Sequence, residues 1–561
     1  MLNLTSKVKG IKNTYTADFE TTGLTNYERD GYVRVYLWSL VSLDGERVYT
    51  GNNVSSFLQK LIDLKANKVW FHNMRFDGSF IVDYLVRFGY KYGEDFECII
   101  DGMNIWYAII LNFNNHKITI WDSLKKFPGQ SVQNVSKLYG IEGKKDKPDF
   151  TRYIPDDYIA TPEEVEYCIQ DSKIMAYAMS KEYEQGHTSM TLSSDAFKSV
   201  QSYLGGFMKW RSKMPAISKE LDAFVRDSYK GGWVYVNPIY QNKKLEHVTV
   251  YDVNSLYPHV MRNCDLPYGN SAITDFMPRN AKDYQYVIKF KCNFHIKDGY
   301  LPTVQIKHNP LYLETEYLLE SPEEVVLTMT NIDYELFKEH YDVWDEELIG
   351  VATFQKKVGL LKEYIDYWTN VKIEATKNHD AARRYIAKRY LNSPYGKTGM
   401  RPDRINKVPY IDNGFIKFES TDEEVEGIYV PYASFVCAQA RNITIRGAQK
   451  HYDDFVYADT DSLHLLGDNH DGLLVDDYKL GYWKVEGVFE KAKYVRAKTY
   501  IHADSNYNIQ EIKCSGMPDN LKEQCTWNRF RDGEVFEGKL MQKRVPGGVV
   551  LCPTTYKIKE L

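Results

Sequence analysis

Over residues 1–190, short runs in which apolar and polar residues alternate are interleaved with stretches of helical period, a pattern that predicts an α/β domain. Within it, Thr14 to Thr22 reads as a strand that Gly23 breaks. Thr161-Pro162-Glu163-Glu164 reads as a helix start, with Thr161 as cap, Pro162 at the first helical position and Glu164 completing a capping box. Residues 191 to about 500 hold two β-rich runs, Val248 to Asp252 and Phe455 to Leu465, separated by a basic helical segment that Gly396 is expected to end. Asn413-Gly414 lies between two further β-rich runs, Val408 to Phe418, which signals a protruding hairpin. A short tail follows, with turn residues Pro546-Gly547-Gly548.

At 561 residues, with no internal repeat, several domains are expected. Hydrophobic residues at 43% and charged residues at 26% are those of a folded chain rather than a disordered one. There is no run of about 18 apolar residues, and Met1 to Lys7 lacks the apolar core of a signal peptide, so a cytoplasmic protein with no membrane partner is expected. The eight cysteines show no zinc-ligand spacing and read as free thiols. A net charge of −5 argues against a nucleic-acid partner until its distribution is considered. Lys491, Lys493, Arg496 and Lys498 lie in one acid-free stretch with two tyrosines, and Arg383, Arg384, Lys388 and Arg389 form a second cluster. Each suits a phosphate track or a solvated face.

Two acidic constellations carry chemistry. Asp18 and Glu20, two apart on a strand, share a face and repel, which a hard cation such as Mg²⁺ or Mn²⁺ would relieve; a solvated face is the alternative. Asn73, Phe76 and Asp77 follow in a turn-like context, and Tyr167 and Asp171 lie four apart on one helix face. Carboxylates from three elements could hold two metals for phosphodiester hydrolysis, while Tyr167 alone could equally be a core aromatic.

In the second constellation, Asp252 ends a β-rich run, with Ser255 a possible helix cap, and Asp459 and Asp461 lie two apart in the middle of another, suggesting a hairpin tip. Arg384, Lys388, Asn392 and Tyr395 line one helix face between them. Such a face could grip a triphosphate, with Tyr395 against its base.

The segments Asp252 to Pro258, Lys388 to Gly396 and Tyr457 to Ser462 resemble polymerase motifs A, B and C in their family B order. Tyr229-Lys230-Gly231-Gly232, Lys498-Thr499-Tyr500 and Trp121 to Lys126 extend the resemblance to the protein-primed family B DNA polymerases of small bacteriophages, the phage phi-twenty-nine type, over nearly the whole chain. Pro394 departs from the motif, and four residues are added between Lys372 and Lys388.

The resemblance implies an α/β and α+β multidomain fold: an RNase H-like 3′–5′ exonuclease domain (1–190), then a right-hand polymerase. Its expected parts are palm (191–300), a priming-protein-contacting insertion (301–355), fingers (356–398), a β-hairpin insertion for processivity and strand displacement (399–430), second palm segment (431–524) and thumb (525–561). It implies two Mg²⁺ or Mn²⁺ ions per active site: at Asp252, Val253 (through its carbonyl), Asp459 and Asp461 for synthesis, and at Asp18, Glu20, Asp77 and Asp171 for degradation, where Tyr167 would orient water. Tyr257 would lie under the sugar, and Lys372 and Lys388 would hold the triphosphate. Ser255, Lys498, Tyr500, Tyr229, Gly231 and Gly232 would meet primer-template DNA, and Thr21, Asn73, Phe76, Ser123, Leu124 and Lys145 the frayed single strand. Tyr312 and Tyr317 fall in the expected priming-protein insertion. Implied partners are DNA, deoxynucleoside triphosphates and a terminal protein, for a monomer replicating a linear phage genome in a bacterial host. A nuclease with a decayed polymerase half and a DNA-binding scaffold are alternatives that the intact motifs and retained carboxylates disfavour.

Overall fold

The computed structural model describes residues 11–113, 115–143, 151–305, 317–321 and 323–559. The N-terminal unit is built on a seven-stranded sheet in the order Val48–Gly51, Val35–Ser42, Thr14–Thr21, Lys68–Phe71, His116–Asp122, Trp106–Phe113, Phe96–Ile100. Helices cover both faces: Phe57 and Leu61 of Val54–Asp63 pack with Tyr15 and Phe19 on one, and Ile174 and Met175 of Pro162–Glu184 pack with Val41 and Trp70 on the other. This two-sided cover explains why Val35–Ser42 is apolar almost throughout and buried at every position. The Thr161 capping box forms as predicted. The stretch from Phe71 to Gly78, expected as turn-like, is instead a strand end running into the helix Met74–Arg87, with Asn73 alone making the turn at φ 68.

A second seven-stranded sheet runs Ile509–Cys514, Thr499–Ala503, Trp483–Arg496, Leu245–Val253, Ser462–Leu466, Phe455–Asp459, Val234–Val236. The helix Val430–Lys450 packs on it through Phe435, Val436 and Ala440. A third sheet joins Gln285–Ile296, Val325–Thr330 and Tyr341–Val358, so the unit expected over 301–355 shares its sheet with residues before 300. Helices Lys362–Lys377 and Ala381–Thr398 pair beside the second sheet.

The Asn413-Gly414 hairpin is present: Asp403–Asp412 pairs with Phe415–Glu424 across ten residues, and both turn residues have positive φ (50° and 81°), as a tight right-twisting turn requires. It lies against the N-terminal unit. Ile416 and Phe418 join that unit's core, Asn406 Oδ1 accepts from Ile100 N at 3.2 Å, and Arg87 donates to the Gly414 carbonyl at 3.1 Å. The tail forms a second hairpin, Val535–Val545 with Gly548–Lys557. Its tip also reaches the N-terminal unit, where Val33 N donates to Pro546 O at 2.9 Å. Gly548 is required there, since a Cβ would fall 2.5 Å from the Phe80 ring.

The helix expected to end at Gly396 continues to Thr398, with Pro394 inside it. Proline cannot donate to the carbonyl of Tyr390 one turn back. That carbonyl instead accepts from the buried Tyr364 hydroxyl at 2.8 Å, so the packed neighbour helix replaces the missing donor. Tyr364→Phe should destabilise the protein by about 1–2 kcal/mol in chemical denaturation. In a Pro394→Leu background, where residue 394 supplies its own N–H, the cost should shrink; an equal cost in both backgrounds would count against the compensation.

Candidate active sites

Asp252 lies one residue from the end of the central Leu245–Val253 strand, opposite Ser462 on one side and Lys484 on the other. Ser255 then takes a left-handed conformation (φ 54) ahead of the next helix without a side-chain cap bond. Asp459 ends its strand, Thr460 turns at φ 63, and Asp461 opens the return. The hairpin tip is as expected, but the aspartates occupy a strand end and a turn rather than the middle of one strand. A backbone hydrogen bond from Val253 N to Asp461 O, 2.8 Å, locks the tip to the Asp252 strand.

The two carboxyls are held in mutual strain. Burial, then Asp461 and Glu486, push Asp252 up to about 7 despite Lys484 and Lys388. Burial, with Asp459 and Glu486, pushes Asp461 up to about 6 against its own backbone hydrogen bond and Lys388. Asp252 and Asp461 are hard oxygen donors of the kind a Mg²⁺ or Mn²⁺ ion takes, although, among the described residues, the acids here do not bring three ligand atoms within 4.8 Å of one another. Glu486 was not legible in sequence: it enters through a bulge between Val485 and Gly487 on the neighbouring strand, and only sheet pairing reveals it. Asp459 is engaged differently, accepting from Lys498 Nζ at 2.7 Å and from the Tyr457 hydroxyl at 3.3 Å.

Facing the carboxylates, Arg384, Lys388 and Asn392 line one cleft of about 690 Å³. Lys372 reaches Ser255 Oγ at 3.0 Å and is pushed down by burial and by Lys388, Arg384 and Lys484, so the helix pair places it in the same cationic group. Tyr395 and Tyr257 stack on one another at 4.4 Å and 19°. The basic stretch near residue 495 is mostly used internally. Lys493 is buried against the carbonyls of Trp527 and Phe530, Lys491 pairs with Glu246, and Tyr500 is buried in a cluster with Tyr457, Tyr494 and His464.

Arg441, also missed by sequence, is fully buried and holds the carbonyls of Lys230 and Gly231, each at 2.8 Å, together with Asp333. Tyr229 packs against Gly399. Gly232 lies directly against the turn of the tip: a Cβ there would meet Thr460 Oγ1 at 2.6 Å.

In the N-terminal unit, Asp18, Glu20 and the thiol of Cys168 lie within 4.8 Å of one another. Cys168 is the residue that sequence reading passed over. Burial beside Asp18 and Glu20 holds its thiol protonated, and it approaches the Asp18 carbonyl at 3.6 Å. Asp77 is wholly buried, and that burial, with Asp122 and Asp171 nearby, pushes it up to about 8 while the Phe19 N–H opposes the shift. Tyr167 and Asp171 are buried on the Pro162–Glu184 helix. Asp18 and Glu20 thus form a close carboxylate pair, with Asp171 near enough to act on both Cys168 and Asp77.

Asp122 organises the rim, accepting from Asn73 N and Leu124 N, both at 3.0 Å. Ser123 is buried, donating to the Phe71 carbonyl at 2.9 Å and meeting His72 Nδ1 at 2.9 Å, so its side chain positions neighbours rather than facing outward. Thr21 is buried and Phe76 half-buried beside Phe80. Lys145 and Tyr312 lie outside the described residues.

A family model described as DNA polymerase type B, organellar and viral, matches residues 59–153 and 150–479. The DNA polymerases of Bacillus phages Nf and phi29 are each 36% identical over 97% of this chain and 99% of their own length. That of Streptococcus phage Cp-1 is 32% identical over 97% and 98%. Among solved structures, phi29 DNA polymerase complexed with primer-template DNA and incoming nucleotide substrates is similar, with a TM-score of 0.91 and 35% identity over 97% of this chain and 100% of that one. A complex of the same polymerase with single-stranded DNA matches with a TM-score of 0.89 and 34% identity over 97% and 100%.

Gly232→Ala is expected to destabilise the protein by about 1–3 kcal/mol through overpacking against Thr460, and Thr460→Gly in the same chain to restore most of that loss. Thermal melts of the single and double variants test it; a Gly232→Ala melt equal to wild type would refute the contact.

Proposed function

This chain belongs to the type B DNA polymerases of organelles and viruses, in the phi29 type, and on that premise we propose that it copies primer-template DNA at Asp252, Asp459 and Asp461 and degrades the frayed 3′ end at Asp18, Glu20, Asp77 and Asp171. The observation that carries this reading is the pair of separate carboxylate groups, each with carboxyls raised by burial and by one another. Asp252 and Asp461, with Asp459 and the Val253 carbonyl beside them, would hold two Mg²⁺ or Mn²⁺ ions, as would the N-terminal carboxylates. Bound there, such ions supply Lewis acidity to the attacking oxygen and charge relief to the leaving one.

This chain's own residues do the rest. Lys388, Arg384 and Lys372 bind the triphosphate as a cationic face opposite the carboxylates, and Asn392 lines the same cleft. The Tyr257–Tyr395 stack forms a rigid floor for sugar and base, and bars a 2′-hydroxyl. Lys498, held on Asp459, and Tyr500 behind it steady the primer end. Tyr229, Gly231 and Gly232 form the DNA-facing link between the two activities, fixed by Arg441. In the nuclease site Tyr167 orients water, while Thr21, Asn73, Phe76 and Leu124 receive the single strand.

Processive, strand-displacing synthesis is supported by the closed arrangement of the Asn413-Gly414 hairpin and the C-terminal hairpin, both of which seal against the N-terminal unit. Priming by a terminal protein is proposed from the family alone, since Tyr317 is buried and turned inward, its hydroxyl accepting from Val234 N at 3.2 Å. The protein acts as a monomer in the host cytoplasm; no helix among the described residues is long and apolar enough to cross a membrane.

Primer extension with deoxynucleotides and Mg²⁺ tests the assignment. Asp459→Ala should lose synthesis by at least about 10²-fold, the scale of removing one preorganised charge, while keeping degradation. Asp18→Ala with Glu20→Ala should do the reverse. Undiminished synthesis by Asp459→Ala would overturn the reading.

A further inference from the structure

Behind the helix pair, away from both carboxylate groups, lies a cleft of about 570 Å³ that no part of the proposed reaction uses. One side of it is a run of rings, and the other holds Gln185, Ser199, Lys198 and Asp195, the last already paired with buried Lys126. Tyr203 meets Tyr367 at 5.6 Å, Tyr367 meets Trp368 at 5.2 Å and 88°, Trp368 meets Tyr390 at 4.2 Å, and Tyr390 meets His187 at 5.0 Å. Aromatic side chains fill a core when they are covered, yet here Tyr203 and Tyr367 remain 36% and 47% exposed. Tyr390 is the reverse case: 1% exposed, on the cleft, with a hydroxyl that has no hydrogen-bond partner among the described residues. That oxygen is closed to solvent, so a molecule in the cleft does not reach it. Lys198, exposed on the same cleft, adds a positive charge at the rim, and its field helps push buried Lys126 down, behind burial.

Each feature selects part of a ligand. Rings at steep angles to one another accept a flat π-system from its face and its edge. Gln185 and Ser199 on the same cleft suit a ring bearing hydrogen-bonding atoms rather than a hydrocarbon. The rim lysine asks for an anion attached to it. The volume suits a small heteroaromatic molecule.

We propose that this cleft binds a nucleotide, its base clasped by Tyr203, Tyr367 and Trp368 and its phosphate met by Lys198. The base belongs either to a free nucleotide or to an unpaired nucleotide of single-stranded DNA. Sequence-tolerant stacking would serve both.

Photo-cross-linking separates the two sources. The intact chain is irradiated with 5-iododeoxyuridine monophosphate, or with a single-stranded oligonucleotide carrying 5-iododeoxyuridine, in the presence of EDTA, so that neither carboxylate site is filled through metal. Labelled peptides are then mapped by mass spectrometry. Labelling of residues within 192–203 or 362–377 is expected, and Tyr203→Ala with Tyr367→Ala should cut it by at least about fivefold, the loss expected for one stacked base. Both rings are partly buried, so the double variant should melt below wild type, yet it should still fold and extend a primer at the assay temperature, which keeps this test apart from that of the polymerase reading. Labelling by the monophosphate alone assigns the site to free nucleotides; by the oligonucleotide alone, to single-stranded DNA. No label in these segments with either probe, or label undiminished in the double variant, overturns the proposal.

Discussion

The burial of Asp252 and Asp461 among other carboxylates is the constraint on which the central half of this molecule depends. Left alone, two carboxyls buried side by side would move apart or stay protonated. They cannot move apart, because Asp252 sits on the middle strand of a seven-stranded sheet and Asp461 is tied to that strand by the Val253–Asp461 backbone bond. The sheet therefore holds a site that either keeps a proton or draws a counter-charge, and the surrounding groups supply part of the latter: Lys484 on the next strand and Lys388 on the facing helix both oppose the shift of Asp252.

From that constraint the neighbouring architecture follows. The helix Ala381–Thr398 must stand close enough to aim Lys388 and Arg384 at the carboxylates, yet not so close that the cations neutralise them outright. The helix Lys362–Lys377 fixes that distance by packing against it and by lending Tyr364 to the carbonyl that Pro394 leaves without a donor. Gly232 performs the matching task below the turn, since only a residue without a side chain lets the loop held by Arg441 touch Thr460. The positions of the acids are thus set by backbone bonds and close approaches, and the cations by helix packing.

What the sequence disclosed follows the same division. Asp18 and Glu20, the Thr161 capping box, the Asn413-Gly414 hairpin and the motif aspartates were legible because each depends on local spacing. The end of the motif B helix was misread because Gly396 and Pro394 are breakers in isolation, whereas tertiary packing supplies the hydrogen bond that carries the helix past them. Asp77 was misread as lying in a turn because a single left-handed Asn73 starts a helix where the local composition suggests a loop. Glu486, Cys168 and Arg441 were not singled out for a common reason: their roles come from strand pairing or from contacts far along the chain. The basic stretch near residue 495 was open to a phosphate track or a solvated face, and Lys493 is neither, since it is turned inward to cap buried carbonyls.

The two carboxylate groups are distinct in the fold but not mechanically independent. Tyr385 and Arg389, on the helix that carries Lys388 and Asn392, both donate to the carbonyl of Pro128, at 3.3 and 3.2 Å. Pro128 follows the short turn whose Asp122 and Ser123 hold Asn73 and His72 at the rim of the N-terminal site. Gln130, two residues on, bonds His72 through its carbonyl and also lines the cleft of Arg384 and Lys388. Beneath this junction Lys126 is fully buried on Asp195, at the start of the polymerase half. A buried ion pair loses its value once separated from its partner, so the halves resist sliding here. The Ala381–Thr398 helix is thus joined through Pro128 and Gln130 to the rim of the N-terminal site by direct hydrogen bonds.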